Sequence, residues 1–170
     1  MTRSTDRIRS LGGLLLAAAL SASPLLSYAH GDAKHGKKQA GPISAEEQAF
    51  GREGDPGKAK RTIRVDMADT MRFSPAEITV NRGDTVKFIV RNKGRQMHEM
   101  VIGTIKELRA HAEVMKKHPT MEHDEPYMAH VAPGKTETIV WRFTKAGEFH
   151  YGCLVPGHFE AGMVGTITVK

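Results

Sequence analysis

Period-two alternation of apolar and polar residues dominates the chain from Thr62 onward, and it restricts the fold to sheet. Ile63, Val65 and Met67 alternate with polar neighbours. Residues 77–81 and 85–91 repeat the signal, and Arg82-Gly83-Asp84 between them is a tight turn. Further strands are predicted at residues 98–102, 136–143, 148–153 and 165–170, with Ile139, Trp141 and Phe143 on one face. Short strands joined by Gly- and Pro-containing turns imply an all-β sandwich or barrel. One segment departs from the pattern. Ile105, Leu108, Ala112 and Met115 fall at helical spacing, and Thr104 followed by Glu107 forms a capping box. This predicts one helix over residues 105–117, inserted between strands, with a Met- and His-rich loop after it from His118 to His130.

The N-terminal part reads differently. Arg3, Arg7 and Arg9 precede an apolar run from Leu11 to Leu20, and Ser27-Tyr28-Ala29 places small residues where a signal peptidase cuts. Residues 1–29 are expected to be a secretory signal peptide, too short and interrupted for a comfortable membrane span. No twin-arginine pair precedes the run, so general secretion to the periplasm is expected, with no membrane span after cleavage. Cleavage removes three basic residues and one acidic residue, lowering the formal charge of +6 by two. The basic residues are scattered and aromatics few, which argues against nucleic acid as a partner. Residues 30–60 are poor in large apolar side chains, Ile43 and Phe50 excepted, and are expected to form a flexible His-containing arm. The folded domain is then residues 61–170, expected to be monomeric.

Cys153 is the sole cysteine. In an oxidising compartment a lone thiol is buried and inert, paired with another molecule, or a metal ligand. Its neighbours select the last. Cys153, His158 and Met163 follow one another with four residues between each pair, placing thiolate, imidazole and thioether in one loop between two predicted strands. His98, at the start of an upstream strand, supplies a second imidazole. Two imidazoles and a thiolate with a distant thioether make a type-1 copper site.

These stretches resemble the cupredoxin family, which includes the plastocyanins, azurins, rusticyanins and periplasmic copper-tolerance cupredoxins. The matching parts are Phe73 to Val86, the Met97-His98 strand start, and the Cys-His-Met loop running into Gly162 to Val169. The resemblance covers residues 62–170 and implies a Greek-key β-sandwich of about eight strands. It also implies roles: Cys153 as equatorial thiolate, His98 and His158 as equatorial imidazoles, and Met163 as weak axial ligand. The loop spacing is similar to that of rusticyanin. Many relatives carry Asn or Ser after the first His, where side-chain hydrogen bonds brace the Cys loop; this chain has Glu99. An inward carboxylate would favour Cu(II) and lower the potential, whereas an outward one would only meet solvent.

The leading functional expectation is a mobile electron carrier cycling Cu(I) and Cu(II), with a redox partner protein docking near His158, which Val155, Pro156, Gly157 and Phe159 surround. The alternative is copper tolerance or copper handling, motivated by surplus His and Met. His30 and His35 in the arm, and Met115, His118, Met121, His123, Met128 and His130 around the helix end, are candidates for a second, weaker copper site. An enzyme is not expected, because the inferred ligand set is closed. A binuclear centre would need two Cys, and multicopper oxidases place His beside the Cys, where this chain has Gly152 and Leu154. N-terminal sequencing of the exported chain is expected to begin at His30; retention of residues 1–29 would instead indicate an anchor.

Overall fold

The computed structural model describes residues 41–119, 121 and 123–170. The predicted signal peptide, His30 and His35 lie outside the described residues. Eleven strands and one α-helix follow in chain order: β1 (Glu47–Gln48), β2 (Gly51–Glu53), β3 (Arg61–Ala68), β4 (Arg72–Ser74), β5 (Glu77–Val80), β6 (Thr85–Asn92), β7 (His98–Gly103), α1 (Ile105–Lys117), β8 (Met128–Val131), β9 (Thr136–Arg142), β10 (Gly147–Gly152) and β11 (Val164–Val169). They form a six-stranded sheet, β1-β2-β9-β6-β3-β4, and a five-stranded sheet, β5-β11-β10-β7-β8. Pairing is mixed: β3 runs parallel to β6, and β11 parallel to β5, while the other pairs are antiparallel.

The alternation seen in the sequence becomes the sandwich core. Val65 and Met67 of β3, Phe88 and Val90 of β6, and Ile139 and Trp141 of β9 pack against Met100, Ile102, Phe149, Tyr151 and Ile167 of the other sheet in one buried cluster. Each such side chain contributes roughly 1.5–3 kcal/mol on leaving water. Tyr151 lies in this core with its hydroxyl donating to the Pro75 carbonyl at 2.6 Å, so its polar end is satisfied.

Strand β7 has no exposed residue. Its two faces meet different partners. Met100 and Ile102 point into the sandwich core, while Val101 packs with Leu108, Ala112 and Met115 of α1, and with Met128 and Leu154. The helix therefore covers the outer face of the five-stranded sheet. Its start is closed as expected, with the Thr104 side chain accepting from the Glu107 amide and the Glu107 carboxylate accepting from the Thr104 amide.

Two expectations are corrected. The arm does not remain flexible to residue 60: β1 and β2 extend the six-stranded sheet, with Arg52 opposite Arg142 and Glu53 opposite Trp141. Phe50 is the reason. It is only 3% exposed, stacks on Trp141 at 5.2 Å between centroids, and meets Tyr127 edge-on at 5.4 Å. The Trp141 indole N–H donates to the Phe50 carbonyl at 3.0 Å. Gly51 follows with φ of 124°, and a Cβ there would lie 2.1 Å from the Arg142 carbonyl oxygen, so only glycine lets the arm come this close. The second correction is the end of the His118 to His130 loop, which is strand β8, paired with β7. With β1, β2, β4 and β8 added, the strands outnumber the eight that the resemblance implied.

Phe50→Ala is expected to cost about 3–5 kcal/mol, the usual range for emptying a buried aromatic site. A urea midpoint equal to wild type would show that the arm contributes nothing to the fold.

Candidate metal centre

The Cys153-to-Met163 loop leaves β10 and returns as β11, and its backbone is closed on itself. The Cys153 amide donates to the Met163 carbonyl at 3.1 Å, the Met163 amide to the His158 carbonyl at 3.0 Å, and the His158 amide to the Val155 carbonyl at 2.9 Å. Gly157 and Gly162 both take φ of 88°, which permits the two sharp reversals. Arg72 of β4 straps the loop from outside, its guanidinium donating to the Ala161 carbonyl at 2.8 Å.

His98 starts β7 on the face that looks into the sandwich. The segment before it is pinned by Asn92, wholly buried, whose amide donates to the Gln96 and Val131 carbonyls at 2.7 and 2.8 Å while its oxygen accepts from the Gly94 amide. These ties bring three side chains together. The His158 Nδ1 lies 3.3 Å from the Cys153 Sγ and the His98 Nδ1 3.9 Å from it. One ligand atom from each of His98, Cys153 and His158 falls within 4.8 Å of the others, and all three residues are buried. The two imidazoles stand 4.9 Å apart between centroids, tilted by 48°. Met163, also fully buried, belongs to the same core cluster as Cys153.

Burial decides the electrostatics of these groups. It pushes the Cys153 thiol up to about 12, partly countered by the Glu99 amide, which donates to the Sγ at 3.4 Å. A cation must therefore displace the thiol proton as it binds. Burial, with the neighbouring His98, lowers the His158 pKa, which keeps that imidazole neutral and able to ligate. A buried thiol that becomes thiolate on loading, beside two imidazoles and a buried thioether residue, fits copper.

Two carboxylates that surround the centre have different visibility in the sequence. Asp69 was not singled out. It accepts from the His98 Nε2 at 3.0 Å and from the Arg95 and Gln96 amides at 2.8 and 3.3 Å. The Arg95 amide first, then His98, hold its carboxyl below the ordinary value. This is the carboxylate–imidazole arrangement that fixes a ligand ring and its tautomer. Gly94 is required beside it, since a Cβ there would sit 2.0 Å from the Asp69 oxygen and 3.1 Å from the His98 Nε2. Asp69 is 29 positions from His98, and no local pattern could have linked them. Glu99 resolves the question its position raised. It points neither at the metal nor at solvent, being 3% exposed on the helix-side face of β7. One of its oxygens accepts from the Leu154 amide at 2.8 Å and the other pairs with the His130 Nδ1 at 2.9 Å. It thereby braces the residue that follows Cys153.

The candidates for a second copper site separate into groups. Met115 and Met128 are buried in the apolar cluster under the helix. His118 ends the helix and is exposed, and Met121 is 44% exposed. His123 and His130 are brought near each other, with ring centroids 6.3 Å apart, and His111, which the sequence reading omitted, lies 4.7 Å from His123. Its signal was available, since His111 precedes Met115 by one helical turn.

The sequence model of the copper-binding proteins of the plastocyanin/azurin family matches residues 59–170. The chain is 51% identical to the copper-resistant cuproprotein CopI of Rubrivivax gelatinosus, over 92% of this chain and 94% of that one. It is 33% identical to the CopI of Pseudomonas aeruginosa, over 93% and 92%. In fold it is similar to auracyanin B (TM-score 0.58, 20% identity, covering 73% of this chain and 96% of that one). The reduced auracyanin of Roseiflexus castenholzii is comparable (TM-score 0.57, 23% identity, 64% and 96%).

The His130–Glu99 pair makes stability depend on pH. The Glu99 carboxylate raises the His130 pKa above its ordinary value. The pair's contribution is therefore complete below about pH 6.5, the unfolded value, and lost as pH rises through the raised pKa. In urea titrations of the copper-free protein, the gap between wild type and His130→Gln is expected to narrow on raising the pH across that window. A gap independent of pH would mean that no such pair forms.

Proposed function

Because the chain belongs to the plastocyanin/azurin family of copper-binding proteins, we propose that it holds one type-1 copper through His98, Cys153, His158 and the axial Met163, and that it serves copper tolerance in the periplasm. The observation that carries the site is the buried Cys153 Sγ with the Nδ1 of His158 at 3.3 Å and that of His98 at 3.9 Å. The tolerance role is supported by relatives named for copper resistance that align over nine-tenths of this chain.

Bound copper supplies a one-electron Cu(I)/Cu(II) couple. The chain's part is to hold one geometry for both states. Asp69 fixes the His98 ring, the Glu99 amide donates to the Cys153 sulfur, and the closed loop holds His158 and Met163 in register. Burial excludes water from Cys153 and Met163, both 0% exposed. His158, at 7%, is the one member of the set with an edge toward solvent, and exposed Pro156 and Gly157 lie beside it. That edge supports a second reading, electron exchange with a redox protein docking there. Such an exchange is compatible with a tolerance role and needs only a small interface.

Copper-loaded protein is expected to show an intense sulfur-to-Cu(II) band in the orange-red, giving a blue or green colour. Cys153→Ser should lose the band and fail to restore growth of a deletion strain on copper. Met163→Leu should keep the band and raise the potential, because a weak donor to Cu(II) is removed. A colourless Cu(II)-loaded wild type would overturn the site, and full growth with Cys153→Ser would overturn the tolerance role.

A further inference from the structure

An inward carboxylate would bias the centre toward Cu(II), and the structure turns Glu99 away from that place. A different carboxylate holds it. Asp69 lies in the turn after β3, and its Oδ1 accepts from the His98 Nε2 at 3.0 Å. The Arg95 amide donates to its Oδ2 at 2.8 Å, and the Gln96 amide to its Oδ1 at 3.3 Å. Both amides belong to the segment that leads into β7, so the same short stretch of backbone fixes carboxylate and ring together. Gly94 leaves room for the contact, since a Cβ there would lie 2.0 Å from the Asp69 Oδ1.

The His98 side chain is 0% exposed, so water does not screen what happens across its ring. Its Nε2 meets the charge, and its Nδ1 faces the Cys153 Sγ at 3.9 Å. An imidazole that donates to a carboxylate is a more basic ligand through its other nitrogen. The carboxylate also lies one ring away from whatever ion that nitrogen holds, and a divalent ion gains about twice what a monovalent ion gains from such a charge. The other nearby acids are already committed. Glu99 is matched by His130 and the Leu154 amide, and Asp66 on β3 by Lys93. Among the described residues, His158 has no carboxylate partner, so the effect passes through one ring of the two.

We propose that Asp69 is a positioning residue that sets the redox preference of the copper centre: its charge, acting through the His98 ring, favours Cu(II) over Cu(I) and lowers the reduction potential. This rests on the reading of His98 as a copper ligand. A centre so biased gives up the electron of its Cu(I) form more readily.

The test compares the copper-loaded full chain, as exported, with Asp69→Asn, Asp69→Ala and Asp66→Asn. Asp69→Asn keeps an oxygen for the His98 Nε2–H and removes the charge. Asp66→Asn removes a charge from β3 without touching a ligand. Potentials are read by titrating the charge-transfer band, and Cu(II) and Cu(I) affinities by competition with chelators. Asp69→Asn should keep the band and shift the ratio of affinities toward Cu(I) by about tenfold, a rise in potential of about 59 mV. Asp69→Ala should shift it in the same direction, and Asp66→Asn should stay at the wild-type value. An unchanged potential in Asp69→Asn would overturn the proposal, as would an equal rise in Asp66→Asn, since net charge alone would then account for it. Proton–nitrogen spectra of the copper-free protein supply a reading that needs no metal. The His98 ring proton should sit on Nε2 in wild type and exchange faster with water in Asp69→Ala. A wild-type proton on Nδ1 would overturn the proposal even if the variants failed to fold. A colourless wild type counts against the copper reading itself, whereas a coloured wild type whose potential Asp69→Asn leaves unmoved counts against Asp69 alone.

Discussion

Strand β7 is buried along its whole length because the sandwich covers one face and α1 the other. Adjacent residues on it therefore enter different environments. His98 turns to the core side, where Cys153 and His158 meet it. Glu99 turns to the helix side, where a buried carboxylate is tolerable only with its oxygens satisfied. The Leu154 amide and His130 do this, and in doing so they tie the Cys153 loop to β8. Were α1 absent, Glu99 would be solvated and its brace on the loop screened.

The same arrangement explains how a Glu can stand where relatives with Asn or Ser use neutral hydrogen bonds. A carboxylate has no proton to donate, so the donors must come from its partners, here one amide and one imidazole. The amide of Glu99, not its side chain, reaches the Cys153 sulfur. On the other flank Asp69 performs the equivalent service for His98 through the ring nitrogen that faces away from the sulfur. Both imidazoles of the centre are thus oriented before copper arrives, His98 by a carboxylate and His158 by a closed loop, which reduces the rearrangement that loading demands.

Much of the fold was legible in the sequence. The strand pattern located seven of the strands, β3, β5, β6, β7, β9, β10 and β11; all but the wholly buried β7 follow from the rule that a half-buried strand must alternate. The capping box and the 3.6-residue spacing placed α1 at its observed bounds, since a helix start is decided by groups three residues apart. The grouping of candidate donors was legible in part, because Cys153 and His158 stand in one short loop, and the structure brings one ligand atom of each within 4.8 Å of one from His98. What failed was whatever depended on a distant partner. Phe50 looked like one aromatic in a polar arm, and only Trp141, 91 positions later, turns that arm into sheet. Met115 and Met128 looked like soft donors until the helix closed over them.

By itself the sequence determined seven of the strands, the helix, and the placing of Cys153, His158 and Met163 in one loop, since these follow from spacing along one chain. Tertiary structure alone decided which way Glu99 faces, that Asp69 holds His98, and that His111 rather than His118 stands beside His123. The physical reason is common to all three. Each is settled by which surfaces the packing of α1 and the two sheets brings within a few ångströms, and residues far apart in the chain carry no local mark of that meeting.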